Sequence, residues 1–215
     1  MNASPPLLLL VAAGWGAAYA LGCVNTGYLL VRARTGRDIR TLGSGNAGAR
    51  NVGRVLGRGG FAATLVGDLL KGVAAVMFGR WLGLESLALG ATALLVVAGH
   101  NWPAPLGFRG GKGVAASCGA LLALDLALAG VLVGIALVLL AATRRFTLSG
   151  LAAYVLAPAA ALLLDRPPEF AALVGGLALL VLLPHQRELR TMTTLGRTSP
   201  PTSPPSPTPT PRSPA

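Results

Sequence analysis

Long apolar runs alternate with short polar segments along most of the chain. The first run covers about residues 7–31 and is long enough to cross a bilayer core of roughly 30 Å as a helix. Because no basic segment precedes it, this run is predicted to be a membrane helix and not a cleaved signal peptide. Six further runs are predicted to be helices, at about residues 61–79, 84–99, 114–124, 126–142, 147–164 and 170–184.

The fourth run, residues 114–124, would make only roughly 16 Å of helix. It is either a short span or the first half of one long helix that continues through Asp125. With seven separate spans and the N-terminus outside, 15 of the 18 basic residues fall on the inner side of the membrane. Fusing the fourth and fifth runs would move Arg144 and Arg145 outside. The positive-inside rule therefore favours seven spans with a cytoplasmic C-terminus.

Composition agrees with an all-α, polytopic membrane protein. The chain is 53% hydrophobic and 12% charged, whereas soluble domains carry roughly 25% charged residues. A soluble enzyme, a disulfide-rich secreted scaffold and a disordered chain are therefore excluded. The net charge of +11 follows from the basic inner loops and needs no nucleic-acid partner. Residues 197–215 hold 8 of the 16 prolines and are predicted to be a disordered tail after a membrane domain at 1–196.

The polar segment after the first span contains a glycine-rich stretch, which is the first candidate for chemistry. Glycines allow several backbone N–H groups to converge on an anion. Amide and hydroxyl donors and forked guanidinium groups in the same stretch suit phosphate oxygens. A flexible basic loop that faces anionic lipid is the alternative. The candidate ligands are Gly43, Ser44, Gly45, Asn46, Gly48, Arg50, Asn51 and Arg54.

A second candidate anion site lies on the same predicted side of the membrane. Lys112 stands between glycines at the start of the fourth span, where its charge adds to the positive end of a helix. The alternative is a lysine that extends to the membrane surface from an ordinary basic loop. The glycines of this second site are Gly110, Gly111 and Gly113.

Ionisable groups inside or at the ends of the predicted spans are further candidates. Asp68 and Lys71 share one face of the second span. They form either a buried ion pair or a site in which Lys71 reaches a substrate phosphate. His100 and His185 both end spans at the inner side, where histidine often serves only as a polar anchor. Glu188, three residues after His185, could orient that imidazole as a general base.

Taken in order from about Gly22 to Arg190, these motifs resemble the acyl-phosphate-dependent glycerol-3-phosphate acyltransferases, the PlsY family of bacterial inner membranes. The resemblance implies a seven-helix fold with its active site at the cytoplasmic face and transfer of an acyl chain from acyl phosphate to the 1-hydroxyl of sn-glycerol 3-phosphate. The product would be lysophosphatidic acid. No metal, coenzyme A or other cofactor is implied, and an acyl-phosphate-forming enzyme would be a functional partner. The motifs are Gly43-Ser44-Gly45-Asn46, Asn51, Arg54, Asp68-x-x-Lys71-Gly72, Gly99-His100 and Gly110-Gly111-Lys112-Gly113-Val114-Ala115.

On this resemblance, the first loop binds one phosphate through Ser44, Asn46, Asn51 and Arg54. Lys112 and its glycines bind the other phosphate or the leaving group. His185 positions or deprotonates the glycerol hydroxyl, unless a substrate phosphate is the base, while Asp68 and His100 are structural or orienting.

Six positions depart from the pattern of the family. Ala47 stands where the family has a proline, and Cys23 and Asn25 stand where it has a serine and a proline. Thr147 replaces a serine, Arg50 replaces a threonine and Glu188 replaces an asparagine. The last two changes leave open a divergent paralogue with another acyl donor or acceptor. A transport or binding protein for an anionic metabolite and a structural membrane protein that binds anionic lipid are the remaining alternatives.

Overall fold

The computed structural model describes residues 5–186. Within this range the chain is helical and contains no strand. The helices are α1 (Pro5–Cys23), α2 (Thr26–Thr35), α3 (Ala49–Trp81), α4 (Ser86–Asn101), α5 (Val114–Leu124), α6 (Leu126–Thr143), α7 (Phe146–Leu163) and α8 (Pro168–Leu182). Six helical segments in this part of the chain are long and apolar enough to cross a membrane, and α5 adds a shorter apolar helix. The all-α membrane fold with one short helix is therefore confirmed.

Asp125 separates α5 from α6, so the fourth and fifth runs are two helices as predicted. Its extended backbone, with φ −152° and ψ 98°, ends α5, and its carboxylate caps α6 by accepting a hydrogen bond from the amide of Leu128. Arg166 donates to the same carboxylate at 2.6 Å, and Arg80 donates to the carbonyl of Leu124 at 3.3 Å. Arg80 and Arg166, which lie outside the basic loops, thus connect the α5–α6 turn to α3 and to the α7–α8 turn.

The first apolar run is not one continuous helix. It divides at Val24 and Asn25, because the side chain of Asn25 accepts a hydrogen bond from the amide of Tyr28 and starts a new helix, α2. The carbonyls of Gly22 and Val24, released from helical bonding, accept hydrogen bonds from Lys71.

The third helix also differs from the prediction, which placed the start of the second span at about residue 61. Helix α3 begins at Ala49, and its first two turns are separated from the apolar part by a kink at Gly57, where φ is +73°. A positive φ of this kind is accessible to glycine at little cost. The glycine-rich stretch is therefore a loop only up to Gly48.

Close helix crossings hold the bundle together. Gly22 of α1 lies against Gly99 of α4, and Gly72 of α3 lies against the backbone of Ala116 in α5, so that an added Cβ at either glycine would collide with backbone. Small residues at such crossings let membrane helices approach closely and gain dispersion contacts. The predicted tail at 197–215 and the domain boundary at 196 lie outside the described residues.

Candidate functional site

The first loop rests on a small apolar cluster at one end of the bundle. Val31 of α2, Ile39 and Ala47 of the loop, and Val52 of α3 are fully buried together. Asp38 caps the short 3-10 turn Ile39–Thr41 and pairs with Arg40 at 2.7 Å. The hydrogen bonds from Arg40 hold the pKa of the Asp38 carboxyl below its ordinary value.

The buried side chain of Asn51 holds the glycine-rich stretch in place through hydrogen bonds to its backbone. Its Oδ1 accepts from the amide of Ser44 at 2.8 Å, and its Nδ2 donates to the carbonyls of Leu42 at 2.8 Å and Asn46 at 2.9 Å. Gly43 has a φ of +54°, and a Cβ there would run into Asn51 Oδ1. Asn51 is only 1% exposed, so its side chain acts as a template for the loop backbone, and its predicted role as a phosphate ligand stays a prediction.

Three arginines surround a groove on the first turns of α3. Arg50, Arg54 and Arg58 follow one another at intervals of four residues and line a cavity of about 360 Å³ together with Gly53, Gly57 and Phe61. The two glycines contribute no side chain to the floor, and the kink at Gly57 brings Arg58 to the same cavity. We call this the arginine groove. Its positive charge and size suit a phosphate-bearing ligand.

Arg50 also connects the arginine groove to the third loop. Its Nη1 donates to Thr147 Oγ1 at the start of α7, and its guanidinium lies 5.9 Å from the ring centre of Phe146. The structure thus brings together Arg50 and Thr147, two residues 97 positions apart that the sequence had both marked as candidates.

The second loop folds back onto the end of α4. The amide of Gly110 donates to the carbonyl of Asn101, and the amide of Gly111 donates to the carbonyl of His100, both at 3.0 Å. Gly113 has a φ of +78° and is the residue from which α5 starts. Lys112 therefore stands at the positive end of α5, as expected, with its side chain partly exposed.

Lys71 lies inside the bundle, away from the exposed groups of the loops. It is 5% exposed, and its Nζ lies 3.0 Å from Asp68 Oδ1 and 2.8 Å from His100 Nδ1. Lys71 Nζ also donates to the carbonyls of Gly22 and Val24. These contacts favour the buried ion pair, and a contact of Lys71 with a substrate phosphate stays a prediction. Asp68 and His100 belong to the same buried cluster, and their structural or orienting role stays a prediction.

His185 follows α8 and is 5% exposed. Its Nδ1 lies 2.7 Å from the carbonyl oxygen of Val181. Since a carbonyl can only accept, Nδ1 carries the proton and the acceptor of a neutral ring is Nε2. A general base at this position would therefore accept its proton at Nε2. The prediction that Glu188 orients His185 lies outside the described residues.

Direct hydrogen bonds join these pieces at one end of the bundle. Arg40 of the first loop donates to the carbonyl of Leu106 in the second loop. Asn101, at the end of α4, donates to the carbonyl of Leu180 in α8 at 2.7 Å. Together with the bond from Arg50 to Thr147, these contacts connect all three loops and the end of α8.

Sequence reasoning missed Arg58, Phe61 and the floor of the arginine groove. The interval of four residues among the three arginines was a usable signal, because residues four apart lie on one face of a helix, although the kink at Gly57 interrupts the helix before Arg58. The surrounding glycines concealed it, since Gly53, Gly57, Gly59 and Gly60 are typical of a loop.

The fold and the joined loops define a polytopic α-helical membrane protein with a cationic groove at one end. The chain belongs to the glycerol-3-phosphate acyltransferase family, whose sequence profile matches residues 12–194.

Relatives and solved structures agree with this assignment. The chain is 47% identical over 175 residues to glycerol-3-phosphate acyltransferase 1 of Desulfitobacterium hafniense, covering 81% of this chain and 87% of the relative. It is 42% identical over 187 residues to the glycerol-3-phosphate acyltransferase of Rubrobacter xylanophilus, covering 86% and 90%. The crystal structure of PlsY, an integral membrane glycerol 3-phosphate acyltransferase in its glycerol 3-phosphate form, superposes with a TM-score of 0.77 at 30% identity and covers 89% of this chain and 94% of that one.

Proposed function

We propose that this chain transfers an acyl group from acyl phosphate to the 1-hydroxyl of sn-glycerol 3-phosphate and releases lysophosphatidic acid and inorganic phosphate. The observation that carries the proposal is the pair of separate cationic sites at one end of the bundle. One is the arginine groove, and the other is Lys112 at the start of α5. A reaction between two phosphate-bearing substrates needs two such sites close together.

The protein mainly has to position the two substrates and does not have to activate the acyl donor, because an acyl phosphate already has a good leaving group. The glycerol oxygen attacks the acyl carbonyl carbon, the bond from that carbon to the phosphate oxygen breaks, and phosphate leaves. The hydroxyl proton passes to Nε2 of His185 or to a phosphate oxygen. Fixed cations and N–H groups hold the dianions and stabilise the charge that develops on the leaving phosphate.

The exposure of the side chains supports the following roles. Ser44 Oγ, Asn46 and Arg54 lie on the exposed side of the first loop and of α3 and would bind one phosphate together with Arg58. Lys112 and the first amides of α5 would bind the second phosphate. Thr147 lies beside Arg50 and would line the binding site of the acyl acceptor, glycerol 3-phosphate.

We infer that the site end faces the cytoplasm of a bacterial cell, because 11 of the 14 basic residues in the described part of the chain lie in the loops and helix ends of that side. Membrane lipids surround the helices, and the long acyl chain of the donor would lie along them. An enzyme that forms acyl phosphates must supply the donor, and no cofactor is required.

The test uses the full chain purified in detergent or lipid nanodiscs. The protein is mixed with sn-glycerol 3-phosphate and palmitoyl phosphate, and phosphate and lysophosphatidic acid are measured. Palmitoyl-coenzyme A replaces palmitoyl phosphate in a parallel reaction to identify the donor.

Two variants serve as controls. Lys112→Ala should abolish product, whereas Arg80→Ala, which removes a cation from the opposite end of α3, should retain it. Product from palmitoyl phosphate alone supports the proposal. Product only from the coenzyme A ester, or none from a folded protein that still binds glycerol 3-phosphate, would contradict it and favour a divergent paralogue or a binding function.

A further inference from the structure

The buried cluster around Lys71 reaches from the break in the first membrane span to the second loop. Lys71 Nζ donates to the carbonyl of Val24 at 2.9 Å and to that of Gly22 at 3.2 Å. It also lies 2.8 Å from Nδ1 of His100. A lysine ammonium can only donate, so Nδ1 of His100 is the acceptor. The ring proton of the neutral histidine is then on Nε2.

The opposite edge of the His100 ring lies against the second loop. An added Cβ on Gly111 would have Nε2, Cε1 and Cδ2 of His100 as its three nearest atoms, all in severe overlap. The amide of Gly111 also donates to the backbone carbonyl of His100 at 3.0 Å. His100 thus holds Gly111 at two points, through its ring edge and through its carbonyl.

Gly111 immediately precedes Lys112 and Gly113, so its position fixes the start of α5. A ring that rotated or left its place would open a gap beneath Gly111, and the backbone of the loop could then shift. The ammonium of Lys71 prevents this rotation, and Asp68 at 3.0 Å from Lys71 Nζ balances its buried charge. Buried ionisable groups in a membrane helix are costly unless they are paired.

We propose that Lys71 and His100 are positioning residues for the second loop: Lys71 fixes the orientation and tautomer of His100, and the His100 ring sets the position of Gly111 and hence of Lys112. The activity readouts of this proposal rest on the proposed function. The loop readout does not, because it is measured on protein without substrate.

The central experiment compares Gly111→Ala, His100→Ala and the double variant. Gly111→Ala should displace the loop and lower kcat by about 100-fold, the effect expected of a shift of about 1 Å at a catalytic group. His100→Ala should lower kcat by roughly 10-fold, because its loss loosens the loop without forcing it away. The double variant should resemble His100→Ala, since removal of the ring leaves room for the new methyl group.

Matched controls separate this contact from general damage. Gly130→Ala adds a methyl group to α6, where nothing lies within 4 Å of the new Cβ. Thr92→Val removes a buried hydroxyl that bonds the carbonyl of Leu89 on the same helix as His100. Both variants should leave kcat and KM unchanged.

The loop itself is followed by amide hydrogen exchange in the substrate-free protein. His100→Ala should accelerate exchange of the Gly110 and Gly111 amides, while exchange in α7 and α8 stays as in the unmodified chain. Lys71→Met should have the same local effect. Because it leaves Asp68 unpaired and could unfold the protein, the double variant Asp68→Asn/Lys71→Met is tested beside it.

The outcomes decide between a positioning role and a purely structural one. Rescue of the kcat of Gly111→Ala by His100→Ala supports the proposal. Fast exchange confined to the second loop in His100→Ala supports it even if the chain has no acyl-phosphate activity. Equal defects in Gly111→Ala and the double variant would overturn it. So would unchanged loop exchange in His100→Ala, or exchange that accelerates throughout the bundle.

Discussion

Replacement of Asn51 by alanine tests whether this side chain shapes the first loop or binds substrate. The side chain makes three well-formed hydrogen bonds to the loop backbone, at the amide of Ser44 and the carbonyls of Leu42 and Asn46, with lengths of 2.8 to 2.9 Å. A hydrogen bond of this kind contributes about 1 kcal/mol net. The ordered loop should therefore lose about 3 kcal/mol relative to disordered alternatives.

This loss sets the size of the expected effect. Since about 1.4 kcal/mol corresponds to a tenfold change, the ordered conformation should become about 100-fold less favoured. Amide exchange of residues 42–48 in the substrate-free protein should accelerate by a similar factor. Activity should fall in proportion to the population of ordered loop that remains.

Two further variants sharpen the test. Asn51→Asp keeps the acceptor for the amide of Ser44 but places a second acceptor against the carbonyls of Leu42 and Asn46, so it should be at least as damaging as alanine. Thr41→Ala removes a hydrogen bond to the carbonyl of Asp38 in the same loop and should leave exchange at 42–48 unchanged. A raised KM for glycerol 3-phosphate with unaltered loop exchange would refute the template role and make Asn51 a ligand.

The remaining predictions concern charged groups of the loops. Lys112→Ala should lower kcat at least about 100-fold without unfolding the protein, because a fixed cation at the developing charge is lost; retained turnover would remove Lys112 from the site. Arg50→Thr should break the contact with Thr147 and raise KM for an anionic substrate by no more than about 5-fold, the limit for an exposed contact, most clearly at low salt; an unchanged KM there would contradict it. The pKa of Asp38 is lowered, so its contact with Arg40 should hold the first loop at neutral pH and be lost only as the pH falls below the ordinary carboxyl value. Asp38→Asn should loosen the loop at every pH, which amide exchange of the loop would measure. Loosening of the unmodified loop that already begins near pH 6 would contradict this prediction.

The hydropathy pattern predicted the membrane helices well because lipid burial requires long apolar segments with internal hydrogen bonding. The ends of α5 and α6 follow from the same pattern, since Asp125 interrupts an apolar stretch and caps the next helix. The two candidate anion sites could also be identified from the sequence, because glycines and cations recur at the ends of these segments.

The contacts that individual side chains make could not be predicted from the hydropathy pattern. The sequence favoured a buried ion pair for Lys71 over a phosphate ligand, and the carbonyls released at the break between α1 and α2, which accept from its ammonium, could not be foreseen from the pattern. The amide of Asn51 has donors that could bind a phosphate, but they are already occupied by hydrogen bonds to the backbone of the surrounding loop. Arg58 was overlooked because its helix is rich in glycine.

The positive charge of this chain therefore serves three physical purposes that net charge alone cannot distinguish. Arg54 and Arg58 are exposed in a groove and available to an anion, whereas the ammonium of Lys71 is neutralised by Asp68 and used to hold a loop. Arg166 is paired with Asp125 at the opposite end of the bundle. Only Arg54 and Arg58 should contribute to salt-dependent substrate binding, since screening by salt acts on exposed charges and much less on buried pairs. Increasing ionic strength should thus weaken binding at the arginine groove while the arrangement of the second loop stays intact.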